Sequence, residues 1–130
     1  MKKHSITAGA LSVMTALMLT ACASSAPSEV RVTQADSGRH IRMHRGQELV
    51  VEVPRSGSNY MWDVFEHGQG VFEAPTRQVL QLSEQGAAVE RYVFLALRQG
   101  EDQIRIVELP SNHSTDIPRS ELQLNVTVTN

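Results

Sequence analysis

The sequence predicts an all-β protein, an antiparallel β-sandwich of seven or eight short strands. From Val30 onward, apolar residues alternate with polar ones in short runs rich in β-branched residues, and turn-forming residues separate the runs. A period of two puts every second side chain on the same face, so each run is expected to be a strand with one buried face. The same region lacks helical periodicity with capping residues. Seven or eight such strands in about 100 residues are typical of two packed sheets.

Six runs show the alternation most clearly. In chain order they span residues 49–53, 60–65, 77–82, 91–97, 103–107 and 122–129. Pro54 ends the first run, since proline cannot donate a ladder hydrogen bond. The segment around His40 and His44 is predicted to be strand and turn. Because the cysteine pair of antibody domains is absent, the sandwich is expected to be immunoglobulin-like in outline only.

Composition excludes several classes of protein. A chain of 130 residues with a net charge of −2 fits one domain and lacks the basic surface that nucleic-acid binding needs. Its single cysteine, Cys22, excludes an internal disulfide, and the chain has no Cys/His cluster for zinc.

The first 21 residues are predicted to be a lipoprotein signal peptide. Lys2 and Lys3 precede an uncharged, largely apolar stretch over residues 5–21, which is short for a membrane span. The stretch ends in Leu-Thr-Ala before Cys22, which resembles the bacterial lipobox. An ordinary cleavage after Ala23 is the alternative. We expect residues 22–29 to be a lipidated cysteine with a flexible tether.

The remaining segment, residues 30–130, is the predicted folded domain. Removal of residues 1–21 takes away both lysines and leaves ten arginines against fourteen acidic residues, a net charge of −4. The expected location is the cell envelope, with the domain anchored by lipid to the outer membrane and facing the periplasm.

The residues do not form an enzyme constellation. The chain has no Gly-x-Ser-x-Gly elbow and no glycine-rich phosphate loop, and Cys22 is assigned to the lipid. In an extended segment His40 and His44 would lie roughly 13 Å apart, too far to share one metal ion. We therefore predict that the protein is not an enzyme and uses no metal or cofactor.

The segment 49–64 resembles the first binding loop of the chagasin-like cysteine-protease inhibitors, N-P-T-T-G-Y-x-W. Tyr60 and Trp62 match the aromatic pair of that motif. Asn59 stands for the family's glycine, a mild exchange because asparagine tolerates the left-handed backbone. Ser58 keeps a hydroxyl where the family has its second threonine. The first-loop residues that the resemblance implies are Arg55, Ser56, Gly57, Ser58, Asn59 and Tyr60.

Two further loops follow in the family's order. The glycine-rich second loop corresponds to Gly86, Ala87 and Ala88, of which only Gly86 is a glycine. The third, which resembles R-P-W, corresponds to the stretch of Leu109, Pro110, Ser111 and Asn112, which keeps the proline without the arginine or the aromatic residue. The resemblance covers residues 48–130.

The resemblance implies a function and a partner. Three loops at one end of an immunoglobulin-like β-sandwich would fill the active-site cleft of a papain-like cysteine protease and block it. Alternation puts Trp62 on the buried face, so Trp62 is expected in the core, whereas Tyr60 at the loop edge stays open between core and contact. The alternative is a non-inhibitory envelope lipoprotein that acts as a protein-binding or scaffolding module, for example through an exposed sheet edge.

Overall fold

A computed structural model describes residues 28–66 and 70–130. This part of the chain contains eight strands and one short 3-10 helix, Gln34–Asp36. The strands are β1 (Glu29–Thr33), β2 (His40–His44), β3 (Glu48–Pro54), β4 (Tyr60–Glu66), β5 (Thr76–Gln81), β6 (Ala88–Leu95), β7 (Gly100–Pro110) and β8 (Ser120–Thr129). The all-β prediction with seven or eight strands is confirmed. The predicted signal peptide, Cys22 and residues 22–27 of the tether lie outside the described residues.

The strands form two four-stranded sheets, in the orders β1-β3-β6-β5 and β2-β8-β7-β4. Pairing is antiparallel except at one edge of each sheet, where β1 lies parallel to β3 and β2 lies parallel to β8. The 3-10 helix carries the chain from β1 in one sheet to β2 in the other. The predicted antiparallel sandwich is therefore mixed at these two edges.

The core lies between the inner faces of the two sheets. Alternate residues of the central strands are fully buried there, as a period of two requires. The apolar ones at 0% exposure are Leu49, Val51, Val53, Phe94, Ile104, Ile106, Leu122 and Leu124. Trp62 is 2% exposed, which confirms its expected place in the core.

Over residues 28–66 and 70–130, no helix is long and apolar enough to cross a membrane.

His40 and His44, the two histidines considered as metal ligands, begin and end the strand β2, and both are exposed. Nε2 of His40 lies 2.7 Å from the Thr127 hydroxyl. The described residues contain no group of three or more His, Cys, Asp or Glu side chains that could hold a metal ion.

Candidate functional site

Three loops meet at one end of the sandwich. The first, residues 55–59, joins β3 to β4; the second, residues 82–87, joins β5 to β6; and the third, residues 111–119, joins β7 to β8. Antiparallel pairing makes β3 and β5 run in the same direction, opposite to β6, so the first two loops share an end. The third joins them there because β7 ends beside the start of β4.

The first loop lies between the other two. Its Arg55 amide donates at 2.9 Å to the carbonyl oxygen of Ala88, the first residue of β6 after the second loop. On the other side, the Ser111 amide donates to the Asn59 carbonyl and the Ser111 hydroxyl to the Ser58 carbonyl, both at 2.8 Å. Hydrogen bonds therefore attach the first loop to the third loop on one side and to the start of β6, beside the second loop, on the other.

Two open clefts flank the first loop. The cleft of about 230 Å³ on the side of the second loop is lined by Arg55, Gly57, Ser58, Gln81, Gly86 and Ala88. The cleft of about 320 Å³ on the side of the third loop is lined by Ser58, Asn59, Tyr60, Pro110, Ser111, Asn112 and Ser114. Ser58 lines both clefts and is exposed, so it marks the centre of this end of the molecule.

The backbone of the first loop differs from the expectation in one respect. Gly57 has a φ of +87°, whereas Asn59 does not take a positive φ. The left-handed residue that the asparagine was expected to supply is thus two positions earlier. A Cβ atom at Gly57 would meet nothing within 4 Å, so the glycine is needed for its backbone conformation rather than for space.

The second loop is a tight turn with Gly86 near its tip. Gly86 has a φ of +91°. The Ala87 amide donates to the Ser83 hydroxyl at 3.3 Å, and the Leu82 amide donates to the Ala87 carbonyl at 2.8 Å. Gly86 and Ala87 are exposed at this end, whereas Ala88 is half-buried as the first residue of β6.

The third loop is longer than the four residues that the resemblance assigned to it. Leu109 and Pro110 are the last two residues of β7 and are half-buried, whereas Ser111 and Asn112 are exposed at the start of the loop. His113 follows with a φ of +52°, and its amide donates to the Pro110 carbonyl at 3.0 Å.

The later part of the third loop folds over the outer face of the β4–β7 pair. Asp116 and Pro118 border a groove of about 350 Å³ with Phe65, Val107 and Leu109. Val107 lies on that outer face and is still only 1% exposed, which shows how closely the face is covered.

The aromatic pair divides between core and surface. The Trp62 indole nitrogen donates to the Pro54 carbonyl at 2.9 Å, which ties the core to the start of the first loop. Tyr60 is half-buried at the loop edge, and the guanidinium carbon of Arg119 lies 4.2 Å from the centroid of its ring. Tyr60 is therefore partly covered by an arginine of the third loop.

Sequence reasoning missed Arg119. Its side chain also approaches Glu108, with Nε 3.6 Å from a carboxylate oxygen. Glu108 continues the inward-facing alternation of Ile104 and Ile106 and is 1% exposed. An acidic residue at an inward position needs a cation nearby, and that signal could have directed attention to the arginine just before the next strand.

A second buried carboxylate, Glu90, lies on the inner face of β6 near the same end. It accepts a hydrogen bond from Arg77 at 2.7 Å, and the Tyr92 hydroxyl lies 3.1 Å from its other oxygen and 2.9 Å from the Trp62 carbonyl. Burial, and then the negative charge of Glu90, raise the pKa of Tyr92 well above its ordinary value.

The raised pKa of Tyr92 predicts a loss of stability in alkali. A group whose pKa is higher in the folded state binds its proton more tightly there, so the stabilisation is complete below the unfolded pKa near 10 and is lost as pH rises above it. We expect the unfolding free energy to decline above about pH 10, with this residue contributing up to about 1.4 kcal/mol per pH unit. Urea unfolding of the wild type and of Tyr92→Phe between pH 8 and pH 11 measures this, and equal slopes in the two proteins would contradict it.

The two packed four-stranded sheets define an immunoglobulin-like β-sandwich domain, a fold that several solved structures share. The cysteine protease inhibitor EhICP2 from Entamoeba histolytica superposes with a TM-score of 0.67 at 13% identity, covering 78% of this chain and 95% of that chain. Amebosin superposes with a TM-score of 0.60 at 16% identity, covering 80% and 100%. PbICP-C, solved in complex with falcipain-2, superposes with a TM-score of 0.51 at 11% identity, covering 78% and 98%.

At these identities the likeness is one of fold, and at that level the resemblance inferred from the loop motifs is confirmed. No protein-family profile and no curated protein sequence matches the chain.

Proposed function

We propose that the protein is a lipid-anchored inhibitor of papain-like cysteine proteases in the cell envelope. The observation that carries the proposal is the convergence of three loops at one end of the sandwich, with the first loop between the others and hydrogen-bonded to the third loop and to the residue that follows the second. Structural neighbours with the same fold include a cysteine protease inhibitor and a protein solved in complex with falcipain-2. Lipid anchoring rests on Cys22 and the apolar stretch before it.

The proposed mechanism is a wedge. Residues 55–59 are all exposed and project between two clefts, so this loop can enter a protease cleft while its neighbours contact the rims. The hydrogen bonds of Arg55 and Ser111 hold the loops before binding, and loops ordered in advance lose less conformational entropy on association. The loop end is built mainly from small and uncharged polar residues, which favours contact by shape over ion pairing.

A titration of papain with residues 28–130, which carry all eight strands, tests the proposal. We expect saturable inhibition, and we expect Ser58→Arg to weaken it by about thirtyfold because a long charged side chain at the centre of the loop end would obstruct insertion. Ser58 is exposed, so the substitution should leave the unfolding midpoint unchanged.

Gln99→Arg is the matched control. Gln99 is exposed in the turn between β6 and β7, at the opposite end of the sandwich, and the substitution creates the same side chain. The control should inhibit as the wild type does. Absence of inhibition by a folded wild-type domain at high micromolar concentration would rule out papain-like targets, and equal weakening by both variants would place the contact elsewhere.

The alternative is a protein-binding or scaffolding module of the envelope. It is favoured by β5, one of the two edge strands of its sheet, where five of six side chains are exposed, including the apolar Val79 at 43%. An edge with free backbone groups can accept a partner's strand. If substitutions in β5 abolish an interaction that Ser58→Arg leaves intact, the edge is the functional surface and the inhibitor proposal is wrong.

A further inference from the structure

Arg119 connects the end of the third loop to the first loop. Its guanidinium carbon lies 4.2 Å from the centre of the Tyr60 ring, within the range of a cation–π contact. Its Nε lies 3.6 Å from Oε2 of Glu108, and its backbone amide donates to the Glu108 carbonyl at 2.9 Å. One side chain thus contacts an aromatic ring at the base of the first loop and a carboxylate under the third.

Glu108 explains why an arginine is held there. Its side chain is 2% exposed on the inner face of β7, opposite Trp62 on β4. A carboxylate buried to this extent is costly without a cation close by, and Arg119 is its ion-pair partner in the described part of the chain. Because the Arg119 side chain is itself 47% exposed, it can cover Glu108 while its outer part remains at the surface.

The third loop is therefore attached at its start to the first loop and at its end to the first residue of β4, which directly follows that loop. At its start, the amide and hydroxyl of Ser111 bind the carbonyl groups of Asn59 and Ser58. At its end, Arg119 covers the ring of Tyr60. The residues between these two attachments include His113, whose left-handed backbone belongs to a turn in which its amide donates to the Pro110 carbonyl at 3.0 Å.

We propose that Arg119 is a positioning residue that holds the first and third loops in one relative arrangement. The contacts with Tyr60 and Glu108 act in the free protein, so the effect on loop order does not depend on what the loops bind. That this order serves protease inhibition rests on the function proposed above. Arg119 lies outside the residues that the family resemblance marked for binding.

Hydrogen exchange of the Ser111 amide, measured by NMR on the full chain, tests the proposal directly. This amide bridges the two loops, so it reports their separation. We expect Arg119→Gln to speed its exchange by on the order of tenfold, the combined effect of a lost cation–π contact and a lost ion pair. Arg42→Gln, an exposed arginine on β2 in the same sheet, is the matched control and should leave the rate unchanged.

A second variant keeps the test decisive if Arg119→Gln unfolds because Glu108 is left buried without its cation. Glu108→Gln/Arg119→Gln removes that charge and still lacks the stacked guanidinium. In this variant, an increase in exchange rate over the wild type that is larger at Ser111 than at core amides such as that of Phe94 supports the positioning role. Exchange that is unchanged, or that rises equally at all amides, overturns it.

The same variants in the papain titration separate this inference from the proposed function. If the wild type inhibits, the double variant should dissociate from papain about tenfold faster, because a less ordered loop pair loses more conformational entropy on binding than an ordered one. If Ser111 exchange speeds up but no form of the protein inhibits papain, the positioning role stands and the inhibitor proposal fails. If inhibition and Ser111 exchange are both identical in the wild type and the double variant, the positioning role of Arg119 is rejected and the inhibitor proposal stands.

Discussion

Replacement of Trp62 by alanine is expected to lower the free energy of unfolding by about 4 kcal/mol, the usual cost of removing a large buried aromatic side chain. Trp62 is 2% exposed and belongs to the core cluster between the sheets. Its indole nitrogen also donates to the Pro54 carbonyl, so the substitution removes both packing and a hydrogen bond next to the first loop. Urea unfolding of residues 28–130, followed by circular dichroism, measures the change.

Trp62→Phe separates the two contributions. Phenylalanine keeps most of the apolar surface but cannot bind the Pro54 carbonyl, so we expect a loss of about 1–2 kcal/mol. The comparison also decides between a structural residue and a protease contact. If Trp62→Ala abolished papain binding while leaving the unfolding free energy unchanged, Trp62 would be a contact residue and its assignment to the core would be wrong.

The sequence predicted the central strands well because their pattern is local. Ile104 and Ile106 alternate with polar residues, and the structure extends this strand in both directions to an eleven-residue element. The edge strands β1 and β2 were not delimited in advance. Both pair in parallel, and β2 pairs with the last strand of the chain, as Ile41 with Val126, so this pairing leaves no local signal.

The loop end was predicted in position and only partly in composition. Pro54 marked the end of β3, so the polar residues after it could be assigned to a loop. The stacking of Arg119 on Tyr60 could not be predicted, because residues 59 positions apart meet only after the sheets have formed. The position of the left-handed backbone at Gly57 depended likewise on how the first loop is held by its neighbours.

Removal of the Arg77 side chain is expected to cost about 3 kcal/mol, because it leaves a buried carboxylate without its cation. Nη2 of Arg77 lies 2.7 Å from Oε1 of Glu90, whose side chain is 1% exposed. This hydrogen bond raises the pKa of Arg77. Since the Arg77 side chain is itself 40% exposed, water can partly replace it, so the lower end of the usual range for a broken buried pair is expected. Thermal and urea unfolding of Arg77→Ala measure the loss.

A surface arginine on the same sheet provides the comparison. Arg31 pairs with Glu29 and Glu52, but its side chain is 58% exposed, so Arg31→Ala should cost less than about 1 kcal/mol. The double variant Arg77→Met/Glu90→Met should recover most of the stability lost in Arg77→Ala, because it removes the buried charge along with its partner. If Arg77→Ala and Arg31→Ala lower the free energy of unfolding equally, Glu90 does not need a cation. The hydrogen bond from the Tyr92 hydroxyl, at 3.1 Å, would then be enough to keep it buried.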